Sequence, residues 1–227
     1  MLYIVATPIG NLEDITIRAL RILKEVDFIA AENIRHTKKL LNYYGIKTPL
    51  ISYREENREK QGGKIVKLLK EGKNIALVSD AGTPCVSDPG THLVDLALKE
   101  GIKVASVPGP SALVASLSIC GVPAHRFIFL GFLPQKEGKK RKLLEGLKNI
   151  NYTIIFFESP HRLKKTLKLL EEIYPKYEIV IIREVTKLHE EVIKGKIKDI
   201  LRKLKEIKGE ITIILSRTID TSVRKIN

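Results

Sequence analysis

The feature that most constrains this chain is its alternation. Short β-rich runs are separated by stretches of helical periodicity, and glycine and proline collect where the runs end. Parallel strands need crossover connections, usually helical, so this pattern specifies an α/β fold with a largely parallel sheet. In the first half the predicted strands are Leu2–Ala6, Phe28–Ala31, Leu50–Tyr53, Asn74–Ser79 and Lys103–Val107. The helical patterns between them are Thr16–Lys24, His36–Tyr43, Glu56–Lys70 and Thr91–Lys99. Ser111–Cys120 is apolar nearly all round and follows Pro108-Gly109-Pro110, which predicts a buried helix with Ser111 at or near its cap. Past Val122-Pro123-Ala124 the strands are Phe127–Leu130, Tyr152–Phe157, Glu178–Arg183, Glu191–Ile193 and Glu210–Ser216, with helices at Gly138–Leu147, Arg162–Ile173 and Lys196–Ile207. No internal repeat or low-complexity linker interrupts the pattern. The reading is therefore two α/β domains, residues 1–120 and 121–227. A join as short as 119–126 predicts that they meet across a cleft, a common place for a ligand.

A length of 227 residues suits two domains of about 100 residues each. The 44% hydrophobic and 29% charged shares exclude a disordered chain. No apolar run approaches the roughly 18 residues of a membrane span, and the opening Met1–Pro8 reads as a strand rather than a signal peptide. Cys85 and Cys120 make neither a disulfide framework nor a metal-ligand cluster. These features predict a reduced, cytoplasmic protein without a membrane association. The formal net charge is +14, unevenly spread: residues 1–134 carry 17 Lys/Arg against 13 Asp/Glu, residues 135–227 carry 23 against 13. A same-sign surplus in one half suits a polyanionic partner such as RNA; well-solvated helices of a heat-adapted protein are the alternative. Lys139-Lys140-Arg141-Lys142 stand at a predicted helix start, where cations oppose the helix dipole, and this makes them candidate RNA contacts.

Three loops stand out where strands end, the ligand-binding edge of an open α/β sheet. They are Thr7-Pro8-Ile9-Gly10-Asn11-Leu12, the twelve residues Ser79–Gly90, and Pro108-Gly109-Pro110-Ser111-Ala112. Glycine lets a ligand approach the backbone, proline stiffens the loop, and carboxylates receive cationic or hydroxyl groups. The Gly-x-Gly-x-x-Gly and Walker nucleotide signatures, zinc spacings and the Gly-x-Ser-x-Gly elbow are all missing.

Taken with Glu158-Ser159-Pro160-His161-Arg162 and Arg183-Glu184-Val185-Thr186-Lys187, these loops follow one another at the spacing of a known family. From Met1 to about Ser216 the chain resembles the bacterial 16S ribosomal RNA ribose 2′-O-methyltransferases that modify a decoding-site cytidine, within the tetrapyrrole methylase superfamily. The resemblance implies two α/β domains of the tetrapyrrole methylase type, with S-adenosyl-L-methionine in the cleft between them, and a homodimer. It implies cofactor contacts from Ile9, Asp80, Thr83, Ser111 and Ala112, and from Phe157, Ile211 and Thr212 of the second domain. A ribose hydroxyl is a poor nucleophile and profits from a positioned base or cation; Glu158, Arg162 and Lys187 are the candidates, with Glu184 in the same loops. Glu158 and Arg162, four apart, also fit a structural ion pair. His161 suits an orienting or RNA-contacting role. The implied partner is 16S ribosomal RNA, within the small ribosomal subunit.

Two departures from the family pattern matter. Ala-Glu-Asp-Thr-Arg-His-Thr is usual where this chain has Ala31-Glu32-Asn33-Ile34-Arg35-His36-Thr37, so no catalysis is assigned to Asn33 or Ile34, while Arg35 and His36 remain candidate RNA contacts. Cys85 stands where a small residue such as glycine is common, which predicts a packed thiol. Methyltransferases of the cobalamin pathway, or of the modified histidine of elongation factor 2, would keep the cofactor loops without explaining the basic second half. A non-catalytic RNA-binding module would keep the charge without needing the loops.

Overall fold

The computed structural model describes residues 1–88, 90–204 and 207–217. Two compact units divide it at Ser111/Ala112. The first holds β1 (Leu2–Val5), α1 (Ile17–Glu25), β2 (Phe28–Ala31), α2 (Ile34–Tyr43), β3 (Leu50–Ser52), α3 (Arg58–Lys70), β4 (Ile75–Val78), α4 (Gly90–Lys99) and β5 (Val104–Val107). Its strands are all parallel, in the order β3-β2-β4-β1-β5. Alternate strand residues face opposite sides, as the two-residue period of a strand requires. Ile29, Ala31, Ala76 and Val78 pack with Ala19, Ile22 and Leu23 of α1 and Leu40 and Leu41 of α2. Ala30, Ile75 and Leu77 pack with Ile65 and Leu69 of α3 and Leu93 and Ala97 of α4.

The second unit holds α5 (Ala112–Ile119), β6 (Phe127–Phe132), α6 (Glu137–Gly146), β7 (Thr153–Glu158), α7 (Pro160–Ile173), β8 (Tyr177–Arg183), β9 (Glu191–Lys196), α8 (Ile197–Lys203) and β10 (Ile211–Arg217). Its order is β6-β7-β10-β8-β9. Only β6 and β7 run parallel; the other pairs are antiparallel. The expectation of a largely parallel sheet therefore holds for the first unit alone. In the second, β10 inserts between β7 and β8, a pairing between distant parts of the chain that no local pattern announces. Phe156, Ile181 and Ile213 bury one face with Leu144 of α6, Leu167 of α7 and Ile200 of α8. Ile155, Val180, Ile182 and Ile214 bury the other with Cys120 and with Leu113 and Leu117 of α5.

That packing explains two further differences. The helix at 112–119 belongs to the second unit because Leu113 and Leu117 seal its sheet, so the boundary precedes the expected residue 120. Nor is this helix buried all round: Val114 is 61% and Ile119 40% exposed. Apolar composition alone does not say how many sides of a helix are covered. The last predicted helix ends at Lys203; residues 205 and 206 of that prediction lie outside the described residues, as does Pro89 of the second loop.

Candidate functional site

In the first unit the chain leaves β1 toward β2 over one face and leaves β4 toward β5 over the other. β4 and β1 are neighbours, so their carboxyl ends flank the crevice where connections diverge, the usual ligand position in open α/β sheets. The three glycine- and proline-rich loops meet here and are tied to one another. Thr7 and Gly82 exchange two backbone hydrogen bonds of 2.9 Å, and the buried Thr7 hydroxyl donates to the Ser79 carbonyl at 3.1 Å. The Thr83 hydroxyl donates to the Pro110 carbonyl at 3.2 Å, fastening the second loop to the third. Gly82 has φ +81°, and a Cβ there would lie 3.2 Å from Cγ2 of Ile9, so conformation and space both call for glycine.

Asp80 sits on this framework with an unusual deficit. Its Oδ1 is buried and has no hydrogen-bond partner. Burying a charged acceptor without a donor is costly, so the position fits a ligand that brings one. The surroundings are anionic as well. Burial raises the Glu32 carboxyl, and the charges of Asp88 and Asp80 raise it further against the Asp80 backbone N–H. Burial likewise raises Asp88, opposed by a hydrogen bond with Ser79 and aided by the charge of Asp80. Among the described residues no group of three or more His, Cys, Asp or Glu is arranged to hold a metal ion. A ligand with cationic centres and hydroxyl donors satisfies both the orphaned oxygen and the crowded charges. Of these three carboxylates the loop motif marks Asp80 alone; Glu32 and Asp88 enter the site only in the structure. Asp88 was legible as a second carboxylate in the twelve-residue loop, whereas Glu32 reaches the cluster only through the pairing of β2 with β4.

Cys85 adopts φ +70°, a conformation that glycine takes at least cost; its thiol is pushed up to about 11 by burial and then by Asp88, so it is a packed thiol. Asn33 caps α2: its Oδ1 accepts from the backbone N–H groups of Arg35 at 3.1 Å and His36 at 3.2 Å. Asparagine and aspartate are comparable caps, so the departure at 33 preserves the helix start and leaves Arg35 and His36 exposed on its first turn.

In the second unit, Phe157 on β7 pairs in register with Thr212 on β10, and Glu158 with Ile211. The Phe157 ring meets Phe129 edge-on at 5.0 Å and Phe132 at 5.5 Å. Ile211, by contrast, points into the core beside α6–α8, so only its backbone is available to a ligand. Ser111 and Ala112, one on each side of the unit boundary, are both half-buried.

Glu158 is 2% exposed and fully engaged. One oxygen accepts from the Ser159 N–H at 2.8 Å and Arg162 Nε at 2.6 Å; the other accepts from the Thr166 hydroxyl at 2.6 Å. Arg162 also donates to the Leu133 carbonyl at 3.2 Å. Both oxygens are occupied and removed from solvent, which makes Glu158 with Arg162 a brace between β7, α7 and the end of β6. The i,i+4 ion-pair reading is the one this geometry supports.

Lys140 requires a correction. It is 5% exposed, its Nζ donates to the Thr166 hydroxyl at 2.8 Å and lies 3.6 Å from Glu158, so it cannot contact RNA. Arg141 is paired with Glu172 at 2.5 Å. Four consecutive charges cannot share one helix face, and the pattern turns two of them inward or sideways. Lys139 and Lys142 stay exposed.

Lys187 lies 3.0 Å from both Glu184 and Glu210. Burial works against its charge, but hydrogen bonds to these two carboxylates outweigh that effect and raise its pKa. It can act as a held cation and not as a base. The loop carrying it is strained, with φ +52° at Glu184 and +67° at Thr186.

Two linked α/β units, the first presenting a looped crevice with an unpartnered carboxylate oxygen, make a fold that recurs among solved structures. Diphthine synthase superposes with a TM-score of 0.75 at 15% identity, covering 96% of this chain and 90% of that one. Uroporphyrin-III C-methyltransferase from Thermus thermophilus, solved with S-adenosylhomocysteine, gives 0.66 at 20% identity over 95% and 96%. The model of the Tetrapyrrole (Corrin/Porphyrin) Methylases matches residues 1–201, and the chain belongs to that family. Among its relatives, Ribosomal RNA small subunit methyltransferase I of Thermotoga maritima is 52% identical over 217 residues, 95% of this chain and 97% of the relative. The Bacillus subtilis protein of that name is 49% identical over 217 residues, 95% and 74%.

Proposed function

We propose that this protein methylates small-subunit ribosomal RNA with S-adenosylmethionine as donor, and that its target is the ribose 2′-hydroxyl of a decoding-region cytidine in 16S RNA. The observation that carries the reading is the 52% identity, over nearly the whole of both chains, to a relative named as a small-subunit ribosomal RNA methyltransferase. Likeness to the methyltransferase CobJ, diphthine synthase and uroporphyrin-III C-methyltransferase, at 15–20% identity, carries the fold alone. A purely RNA-binding module would have no use for a crevice with an orphaned carboxylate oxygen.

When bound, the cofactor supplies a methyl already activated on a sulfonium, so the protein's task is mainly alignment. Asp80 accepts a hydrogen bond from the cofactor's amino or ribose groups, and Glu32 and Asp88 favour a cationic ligand beside it. Ile9, Thr83 and Ser111 complete the contacts of the first unit. On the second unit the same reading assigns contacts to Ala112, to Phe157, to Thr212 and to the backbone of Ile211. Lys187, held protonated, would offer its charge to the hydroxyl oxygen as negative charge develops there, while the hydroxyl proton passes to solvent. Glu158 and Arg162 position the end of β6. Arg35, His36, Lys139 and Lys142 contact RNA phosphates, the substrate being the assembled small subunit. The protein works as a homodimer in the cytoplasm.

Small subunits from a strain lacking the native modification, incubated with this protein and methyl-labelled cofactor, test the reading. Label recovered in 16S RNA is expected; label that stays with the cofactor would refute it.

A further inference from the structure

The charge order of α7 runs against its own dipole. A helix favours acids in its first turn and bases in its last. α7 has no acidic residue in the first turn and no basic residue in the last. Instead His161, Lys164, Lys165 and Lys168 occupy its first three turns and are exposed, while Glu171 and Glu172 close it. Ser159, before the first turn, provides no side-chain cap. The helix is otherwise well anchored: Leu163, Leu167 and Leu170 are at most 1% exposed, so the lysines stand on a rigid support.

None of the three lysines takes part in an ion pair among the described residues, whereas Glu172 is already neutralised by Arg141 of α6. Lys164 and Lys168 are about one turn apart, roughly 6 Å along the axis, with Lys165 beside them. The result is an uncompensated positive ridge that begins at an uncapped helix start. No ion pair among the described residues of the fold uses it.

From this we infer that the outer face of α7 is a docking surface for the RNA sugar–phosphate backbone, with Lys164, Lys165 and Lys168 each neutralising a phosphate. The inference rests on the ribosomal RNA reading above and adds the surface by which that RNA is held. Chemistry of this kind positions a substrate without reading its sequence.

The test measures binding of a transcribed decoding-region 16S RNA fragment across a salt series. Lys164→Gln, Lys165→Gln and Lys168→Gln combined should reduce the slope of log affinity against log salt by about two to three, near 0.7–0.9 per lost contact. The corresponding triple arginine variant should keep the slope. Lys60→Gln, Lys64→Gln and Lys67→Gln combined, on exposed positions of α3 in the first unit, remove the same charge and should leave it nearly unchanged. An unaltered slope in the α7 variant, or an equal loss in the α3 variant, overturns the inference. Methyl transfer by the unaltered protein reports separately on the ribosomal RNA reading: if it persists while the α7 slope does not move, only the docking surface falls. If the unaltered protein shows no salt-dependent RNA binding, the docking surface falls, and methyl transfer to assembled small subunits alone decides the ribosomal RNA reading.

Discussion

Replacing Asp80 by asparagine separates a ligand-binding role from a structural one. Its Oδ1 makes no internal hydrogen bond, so the substitution removes no bond of that atom from the folded protein. The charge it deletes currently raises both Glu32 and Asp88, so the loop loses repulsion rather than support. Fold stability should therefore change by no more than about 0.5 kcal/mol, a melting shift within about 2 °C for a chain of this size. Cofactor binding should suffer far more. A hydrogen bond to a charged group is worth about 1.5–3 kcal/mol, equivalent to roughly 10- to 150-fold in affinity. Calorimetric titration with S-adenosylmethionine and with S-adenosylhomocysteine reads the affinity, and thermal unfolding without ligand reads the stability. Unchanged affinity would remove Asp80 from the site. A melting loss of many degrees would show that it braces the loop.

Three further outcomes follow from the same geometry. Glu32 and Asp88 titrate above their unfolded values, so the native state holds more protons than the unfolded chain there; their contribution to stability should fall as pH rises through the upper carboxylate range. Denaturant unfolding across that range should show Asp80→Asn flattening the decline, and an identical pH dependence would contradict the cluster. Gly82→Ala forces an L residue to φ +81° against Ile9 and should cost about 1–2 kcal/mol, lowering the calorimetric midpoint by roughly 2–8 °C; an unchanged midpoint would contradict it. The lysine- and glutamate-rich composition, with one methionine and no tryptophan, predicts melting above the mesophile range of about 45–65 °C, and a midpoint within that range would contradict the prediction.

Much of this was legible from residues because the first unit is built from local signals. Its strands are short apolar runs, its helices carry clean periodicity, and its ligand edge is marked by glycine and proline. Thr16, which caps α1 through a 3.1 Å bond to the Ala19 N–H, was readable from its type and place. The second unit hid more. The insertion of β10 between β7 and β8 depends on pairing across 28 residues or more, and strand pattern carries no partner identity. The burial of Lys140 escaped detection for a related reason. A lysine is expected outside, and only the Thr166–Glu158 pair from other elements gives its charge a buried home. Glu32 joined the site in the same way, through strand order rather than any motif.

The central claim is transfer of a methyl to a ribose oxygen, and the product's own chemistry offers the most direct measurement. RNA breaks in alkali when the 2′-oxygen attacks the adjacent phosphate, and a methyl on that oxygen prevents the attack. Small subunits lacking the native modification are incubated with this protein and S-adenosylmethionine, and their 16S RNA is hydrolysed in alkali and resolved to single nucleotides. A single new gap in the ladder, at a decoding-region cytidine, is the predicted result. Methyl incorporated into the RNA while the ladder stays unbroken would place the group on a base and contradict the assignment.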